Sequence, residues 1–344
     1  MKRDILFIGS LEYPNIPKAG DSVKNQFLME FFRQYRTVDY IDTFQWRRRP
    51  WVLLRVLWAL CFGAYKNIVY SVSNESAYRL TRLFTTIPHR KRVVYSMIGG
   101  YTPVKIKQGI YKAEPFRKLD KILVEADKVV GMYEALGIHN AMRVYNFKPY
   151  TYLPDVGVAH TGTIKFVFLS RLTELKGVFL ILKAVDILNE RGFQGQYEVD
   201  FSGAIMPEIH DRFLSEVAHY DEVRYNGFLN LREEKNYTIL SQYDAMLFPT
   251  MHPTEGFPGV IADAAIAGVP VIASAWNYAD ELVAQPQSGY VIPVGDVEAL
   301  ANQMQYVIEH RDENERLRAN CVRAAENYKM ENVLTPSLLL EIGI

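Results

Sequence analysis

Strand-like and helix-like segments alternate along nearly the whole chain, and this alternation limits the fold more than any other feature of the sequence. The runs "DILFIGS", "TVDYIDTF", "NIVYSVS", "RVVYSMIGG", "KILVE" and "MRVYNF" are short, apolar and rich in β-branched or aromatic residues, as buried strands are. A second series follows: "IKFVFLS", "YEVDFSG", "VRYNGFL", "DAMLFPT", "VPVIAS" and "GYVIPV". Helix-like stretches lie between most of them, residues 178–190 and 298–311 for example. Strands that alternate with helices pair in parallel and carry helices on both faces of the sheet. The sequence therefore predicts an α/β protein of two doubly wound, Rossmann-like domains facing across a cleft. The expected bounds are 1–157 and 158–325, with the change near "KPYTYLPDVGVAHTG" (148–162). Residues 326–344 are expected as a helical segment packing back on the first domain. No sequence repeat accompanies the doubling.

Composition and absences narrow the function. The chain has 344 residues, enough for about two domains. Lys+Arg and Asp+Glu both number 39, so no bulk positive charge exists to hold nucleic acid. The two cysteines, Cys61 and Cys321, form no disulfide framework, and a reducing cytoplasm is the expected setting. The opening "MKRDILFIGS" reads as a first strand, its apolar run being too short for a signal peptide. The chain has no G-x-G-x-x-G fingerprint, no G-x-x-x-x-G-K-[ST] phosphate loop, no Asp-x-Asp triplet and no zinc-type spacing of His and Cys. No cofactor and no metal are expected.

Ligands of open parallel sheets bind beyond the carboxyl ends of the strands. The stretch "PTEGFPGVIADAAIAGVPVIAS" (253–274) places Glu255 in such a loop, ahead of a short helix "GVIADAAIA" that carries Asp263 one turn inside it. The N-terminus of that helix faces the glycine-bearing turn and suits an anion or a sugar hydroxyl. The plain alternative is a loop acid followed by an exposed helix acid. After "IKFVFLS" comes "SRLTELKG", where Arg171 follows the strand and Lys176 opens the next helix. A guanidinium fork and an ammonium beside a helix N-terminus make a metal-free cradle for a diphosphate. The alternative is a solvated charge pair with Glu174. In the first half, Gly20 marks the end of a long loop, and Ser22 is expected to cap the helix 22–35.

These motifs resemble the retaining glycosyltransferases of family four, which have the GT-B fold. "SRLTELKG" is similar to that family's Arg-x4-Lys-Gly segment, and "EGFPGVIADAAIAGVPVIAS" to its Glu-x7-Glu motif with the Gly-x-Pro-Val-Ile strand behind it. "AGDSVKNQF" matches the glycine-bearing first loop and "VYNFKP" the Asn-bearing stretch that closes the first domain. "YSMIGGY" and "EGFPGVI" look most like the members that build bacterial surface polysaccharides. The resemblance implies a first domain for the acceptor and a second for the donor, a nucleotide-diphosphate sugar carrying UDP or GDP. It implies that Arg171 and Lys176 hold the diphosphate and that Glu255 reaches donor-sugar hydroxyls. Asp263 would bind the ribose, and backbone at Gly256, Phe257, Pro258, Gly259 and Val260 would meet sugar or phosphate oxygens. Gly20, Gly99, Gly100 and Asn146 would touch substrate, with Gly227 and Phe228 near the base. The chain departs from the family twice. Asp263 stands where Glu is usual, and "SMIGG" lacks the His that often precedes the glycine pair.

The expected reaction is glycosyl transfer with retention, to a saccharide or lipid-linked saccharide in surface polysaccharide synthesis. Two alternatives remain: a nucleotide-sugar epimerase of the same fold, or a catalytically silent nucleotide-binding subunit of a polysaccharide assembly. The segment "WRRRPWVLLRVLWALCFGAY" (46–65) is basic and apolar but broken by Arg55. It is either an interfacial helix, holding the protein on the inner face of the cell membrane, or a buried crossover helix.

Overall fold

The computed structural model describes residues 3–12, 20–157, 160–253 and 255–344. Twelve strands form two parallel six-stranded sheets. The first sheet holds β1 (Arg3–Gly9), β2 (Val38–Asp42), β3 (Tyr65–Ser71), β4 (Arg92–Ser96), β5 (Lys121–Val124) and β6 (Ala141–Arg143), in the order β2-β1-β3-β4-β5-β6. The second holds β7 (Ile164–Leu169), β8 (Tyr197–Ser202), β9 (Val223–Tyr225), β10 (Ala245–Phe248), β11 (Val271–Ser274) and β12 (Gly289–Ile292), in the order β12-β11-β10-β7-β8-β9. Every expected strand segment overlaps one of these strands, although β1, β3 and β6 begin one or two residues ahead of theirs. Each sheet winds outward from its first strand in one direction and then in the other. In the second sheet that reversal lies between β7 and β10, which pair through Ala245 with Phe166 and Met246 with Val167.

The strands are apolar runs because helices cover both of their faces. Phe166, Phe168, Val199, Phe201, Leu247 and Ile272 are at most 1 % exposed. The helix Val178–Glu190 turns Val178, Ile181, Leu182, Val185 and Leu188 onto this core at the spacing of one helical face. Each such side chain contributes roughly 1.5–3 kcal/mol when fully buried.

The chain divides into two compact units, Met1–Phe147 with Glu331–Ile344, and Lys148–Met330. The first unit ends at Phe147 rather than at the expected residue 157. The reason is local: the Lys148 N–H donates to the Tyr328 carbonyl at 2.8 Å, and the Lys148 carbonyl accepts from Met330 N–H at 2.9 Å. Both of these bonds lie inside the second unit. The turn Glu326–Tyr328 belongs there too, so the segment that belongs with the first unit starts at Glu331 instead of 326. Within it Leu338, Leu339 and Ile342 are buried, and the Ile344 carbonyl accepts from Arg36 at 3.1 Å.

One local expectation is corrected, and one pair of alternatives gains a structural description. The first helix runs Gly20–Tyr35, so Ser22 lies inside it and does not cap it. Ser22 is fully buried, its hydroxyl 2.9 Å from that of Ser10. The segment 46–65 contains the helix Trp51–Cys61, buried on one side only, through Val52, Val56, Ala59 and Leu60. No helix among the described residues is long and apolar enough to cross a membrane.

Candidate active site

The loop after β7 is built to present one ammonium. Thr173 receives the Lys176 N–H on its side-chain oxygen at 3.2 Å and so starts the turn Glu174–Lys176. Gly177 ends that turn with φ of 82°, in the left-handed region. A Cβ at Gly177 would lie 2.3 Å from the Pro249 carbonyl oxygen, so only glycine lets the turn approach the end of β10 this closely. Met251 N–H then donates to the Leu175 carbonyl at 2.8 Å, and Ser274 Oγ donates to the Thr250 carbonyl at 2.5 Å. The loops after β7, β10 and β11 are thereby joined.

On this frame Lys176 Nζ meets Glu255 Oε2 at 2.5 Å, with both side chains 13 % exposed. Thr250 Oγ1 lies 3.2 Å from the same carboxylate oxygen, and the Phe248 ring centroid lies 5.2 Å from the ammonium. An ammonium has three donors, so a bond to Glu255 leaves two for another anion. The pair lies at the carboxyl ends of β7 and β10, where the winding of the sheet reverses and ligands of such sheets bind. Arg171, also after β7, is exposed and has no hydrogen bond or ion pair among the described residues. The alternative, a charge pair of Arg171 with Glu174, is therefore not formed.

Asp263 is not an exposed helix acid. It is 4 % exposed, on the helix Gly259–Ala267, with Tyr237 O–H donating to Oδ1 at 2.6 Å and Lys148 Nζ at 2.8 Å from Oδ2. Burial, and then the neighbouring carboxylate, push the Tyr237 phenol far above its ordinary range, so it remains a donor. Neither Lys148 nor Tyr237 was foreseen, since Lys148 lies 115 residues from Asp263 and no local pattern links them. The turn before the helix is fixed by Trp276, whose ring N–H donates to the Gly256 carbonyl at 3.2 Å. Phe257 is buried with its ring centroid 5.0 Å from that of Tyr328, while Pro258 is the extended residue just before the helix and Gly259 faces the Lys148 chain. Val260 is half-buried.

Elsewhere in the second unit, Gly227 has φ of 72° and accepts the Gly203 N–H at 2.7 Å, and the Phe228 ring beside it is 74 % exposed. Gly20, Gly99, Gly100 and Asn146 belong to the first unit. Gly20 opens its helix with open space where a Cβ would stand, Gly99 has φ of 72°, Gly100 is buried, and Asn146 Oδ1 accepts the Phe147 N–H at 3.0 Å. The structure thus joins Lys176 to Glu255 directly, and gives Asp263 partners of its own.

A second polar cluster lies at the amino end of β10. His160, Asp244 and Glu315 bring their ligand atoms within 4.8 Å of one another. Arg311 stands 3.4 Å from Asp244, and Arg318 stands 3.3 Å from Glu315. Two guanidiniums already balance the two carboxylates, so the cluster is an ion-pair network that ties the helix Arg311–Ala325 to the sheet. Burial would raise the Asp244 carboxyl, but bonds from His160 and the Lys165 N–H, with Arg311 nearby, hold it below its ordinary value of 3.8.

Comparison with known proteins decides the family. The description "Glycosyl transferases group 1" matches residues 150–327, just over half of the chain. The chain belongs to the group 1 glycosyl transferases. The matched stretch covers nearly the whole unit Lys148–Met330 and includes both the Lys176–Glu255 pair and Asp263. Among sequence relatives, the amylovoran biosynthesis glycosyltransferase AmsK of Erwinia amylovora is 30 % identical over 146 residues. That match covers 40 % of this chain and 34 % of the relative. The putative colanic acid biosynthesis glycosyltransferase WcaL of Escherichia coli K12 is 25 % identical over 196 residues, or 55 % of this chain and 48 % of the relative. The chain thus spans between a third and a half of these relatives. Among solved structures, Anabaena HepE in complex with UDP superposes with a TM-score of 0.72 at 17 % identity. Sucrose-phosphate synthase from Thermosynechococcus elongatus gives 0.75 at 13 % identity. Both matches cover 98 % of each chain, and at such identities they establish a shared GT-B fold.

Proposed function

We propose that this group 1 glycosyl transferase moves a sugar, with retention and without a metal ion, from a nucleotide-diphosphate sugar to a saccharide or lipid-linked saccharide acceptor of a surface polysaccharide. The observation that carries this reading is the Lys176–Glu255 pair at the reversal of the second sheet, 2.5 Å apart and joined to three loops. The relatives act in amylovoran and colanic acid biosynthesis, and HepE binds UDP and UDP-glucose, which supports a sugar nucleotide as donor.

In this reading the two spare donors of Lys176 and the guanidinium of Arg171, without a partner among the described residues, take the diphosphate. Their charge is matched to the leaving group, whose negative charge grows as the glycosidic bond breaks, so it stabilises the transition state more than the ground state. Glu255 orients Lys176 and accepts hydroxyls of the donor sugar. Asp263 accepts a ribose hydroxyl: a carboxylate has about four acceptor positions, Tyr237 and Lys148 use one each, and Lys148, with 31 % of its side chain exposed, leads to solvent. The ring passes through an oxocarbenium-like state. A leaving phosphate oxygen assists the incoming hydroxyl on the same face, so no protein nucleophile is needed. The first unit takes the acceptor.

Titration with UDP and GDP, followed by NMR of slow donor hydrolysis, tests this. The first-formed sugar should keep the donor's anomeric configuration, and activity should survive EDTA. An inverted product overturns retention. Activity lost to EDTA and restored by magnesium or manganese overturns the metal-free account. Nucleotide binding without any turnover favours the silent subunit.

A further inference from the structure

The helix Trp51–Cys61 has an outer face that its neighbours leave uncovered. Trp51, Leu54, Trp58 and Phe62 recur every third or fourth residue opposite the buried side, and they are 54, 67, 60 and 76 % exposed. Single exposed apolar residues are ordinary, but two indoles, a leucine and a phenylalanine in one stripe form a patch that calls for an apolar partner.

Charge identifies the partner. No Asp or Glu occurs from Thr43 to Asn74, whereas Arg47, Arg48, Arg49, Arg55 and Lys66 all fall in that stretch of a chain with zero net charge. Arg55 is exposed on the helix beside the stripe. Arg48 is exposed in the turn Trp46–Arg48 just before it. Arg48 also lines a hollow of about 370 Å³ with Gln45, Trp46, Ser73 and Ser76, whose hydroxyl and guanidinium groups suit a phosphate head group. A second copy docked on the same face would set arginine against arginine, while an anionic surface would attract both.

We propose that this face lies flat on an anionic lipid bilayer. Trp51, Leu54, Trp58 and Phe62 enter the boundary between head groups and acyl chains, and Arg48 and Arg55 meet lipid phosphates. The helix has 11 residues, too few to span a bilayer, and amphipathic helices of this composition lie in the interfacial plane. The inference concerns where the protein works and does not depend on the roles given to Lys176 and Glu255.

Co-sedimentation of the full chain with phosphatidylcholine vesicles, with and without one-third phosphatidylglycerol, tests it. Of the four tryptophans three, Trp46, Trp51 and Trp58, lie in this segment, so tryptophan emission should shift to the blue on binding. Binding should need phosphatidylglycerol and weaken in high salt. Each arginine near an anionic surface is worth about fivefold, so the paired change Arg48→Ala and Arg55→Ala should weaken binding about 25-fold. Leu54→Gln with Trp58→Gln should weaken it tenfold or more. The melting temperature of each variant reports folding, and if the apolar pair misfolds the arginine pair still decides. Equal binding to neutral and anionic vesicles, no binding to either, or variants that bind like the wild type would each overturn the proposal. So would a dimer in sedimentation velocity that Leu54→Gln with Trp58→Gln disperses.

Discussion

Lys176 and Glu255 touch each other, yet their removal should register in different measurements. Lys176→Ala takes away an ammonium whose charge matters most as the diphosphate leaves. Its kcat should fall about 10²-fold or more, by the measure of other lost charge stabilisers. Unchanged kcat with weaker donor binding would make Lys176 a ground-state contact. Glu255→Ala instead frees the Lys176 ammonium from a carboxylate at 2.5 Å. Nucleoside diphosphate should then bind no more weakly than to the wild type, while turnover drops, because the donor sugar loses its acceptor. Calorimetric titration of both variants with UDP and GDP, beside turnover assays, separates the two. Weaker nucleotide binding by Glu255→Ala would show that its positioning of Lys176 matters more than the charge it neutralises.

The turn that ends at Gly177 belongs to the scale of elements. Gly177→Ala forces a Cβ to within 2.3 Å of the Pro249 carbonyl at a φ of 82°. The turn or the end of β10 must shift, at about 1–3 kcal/mol. The melting temperature should fall, and kcat should fall with it because Lys176 is the preceding residue. A fall in melting temperature with full activity would separate the turn from the site. At this scale much was readable in advance. Buried parallel strands are continuous apolar runs, so "FVFL" or "MLF" declares itself with no knowledge of its neighbours. Lys176 and Glu255 stood out because each follows such a run. Lys148 and Tyr237 did not, since a partner 115 residues away leaves no trace in local periodicity. The start of the first helix at Gly20 was missed for a similar reason. Ser22 looks like a cap from sequence, but its hydroxyl is turned inward to Ser10.

The Asp244 network is one place where acid acts on the stability of the second unit. The folded carboxyl titrates below its ordinary 3.8, so the folded state binds fewer protons there than the unfolded chain does. Its stabilisation is complete above that pH and is lost as pH falls toward the folded value. Asp244→Asn should lower stability at neutral pH by about 1–3 kcal/mol, with Arg311 left partly shielded by water. The variant should also lose less on acidification. Thermal melts from pH 7 to pH 3 check this, and parallel decline of the two proteins would remove Asp244 from the account. The order in which the parts are synthesised raises a different matter. The first unit includes Glu331–Ile344, which contributes buried Leu338, Leu339 and Ile342. Those residues leave the ribosome only after all of Lys148–Met330. The half of the molecule begun first is therefore the half completed last. Until then, the apolar surface beneath those three side chains is exposed to solvent and to chaperones, while the other unit already has its whole sequence to fold.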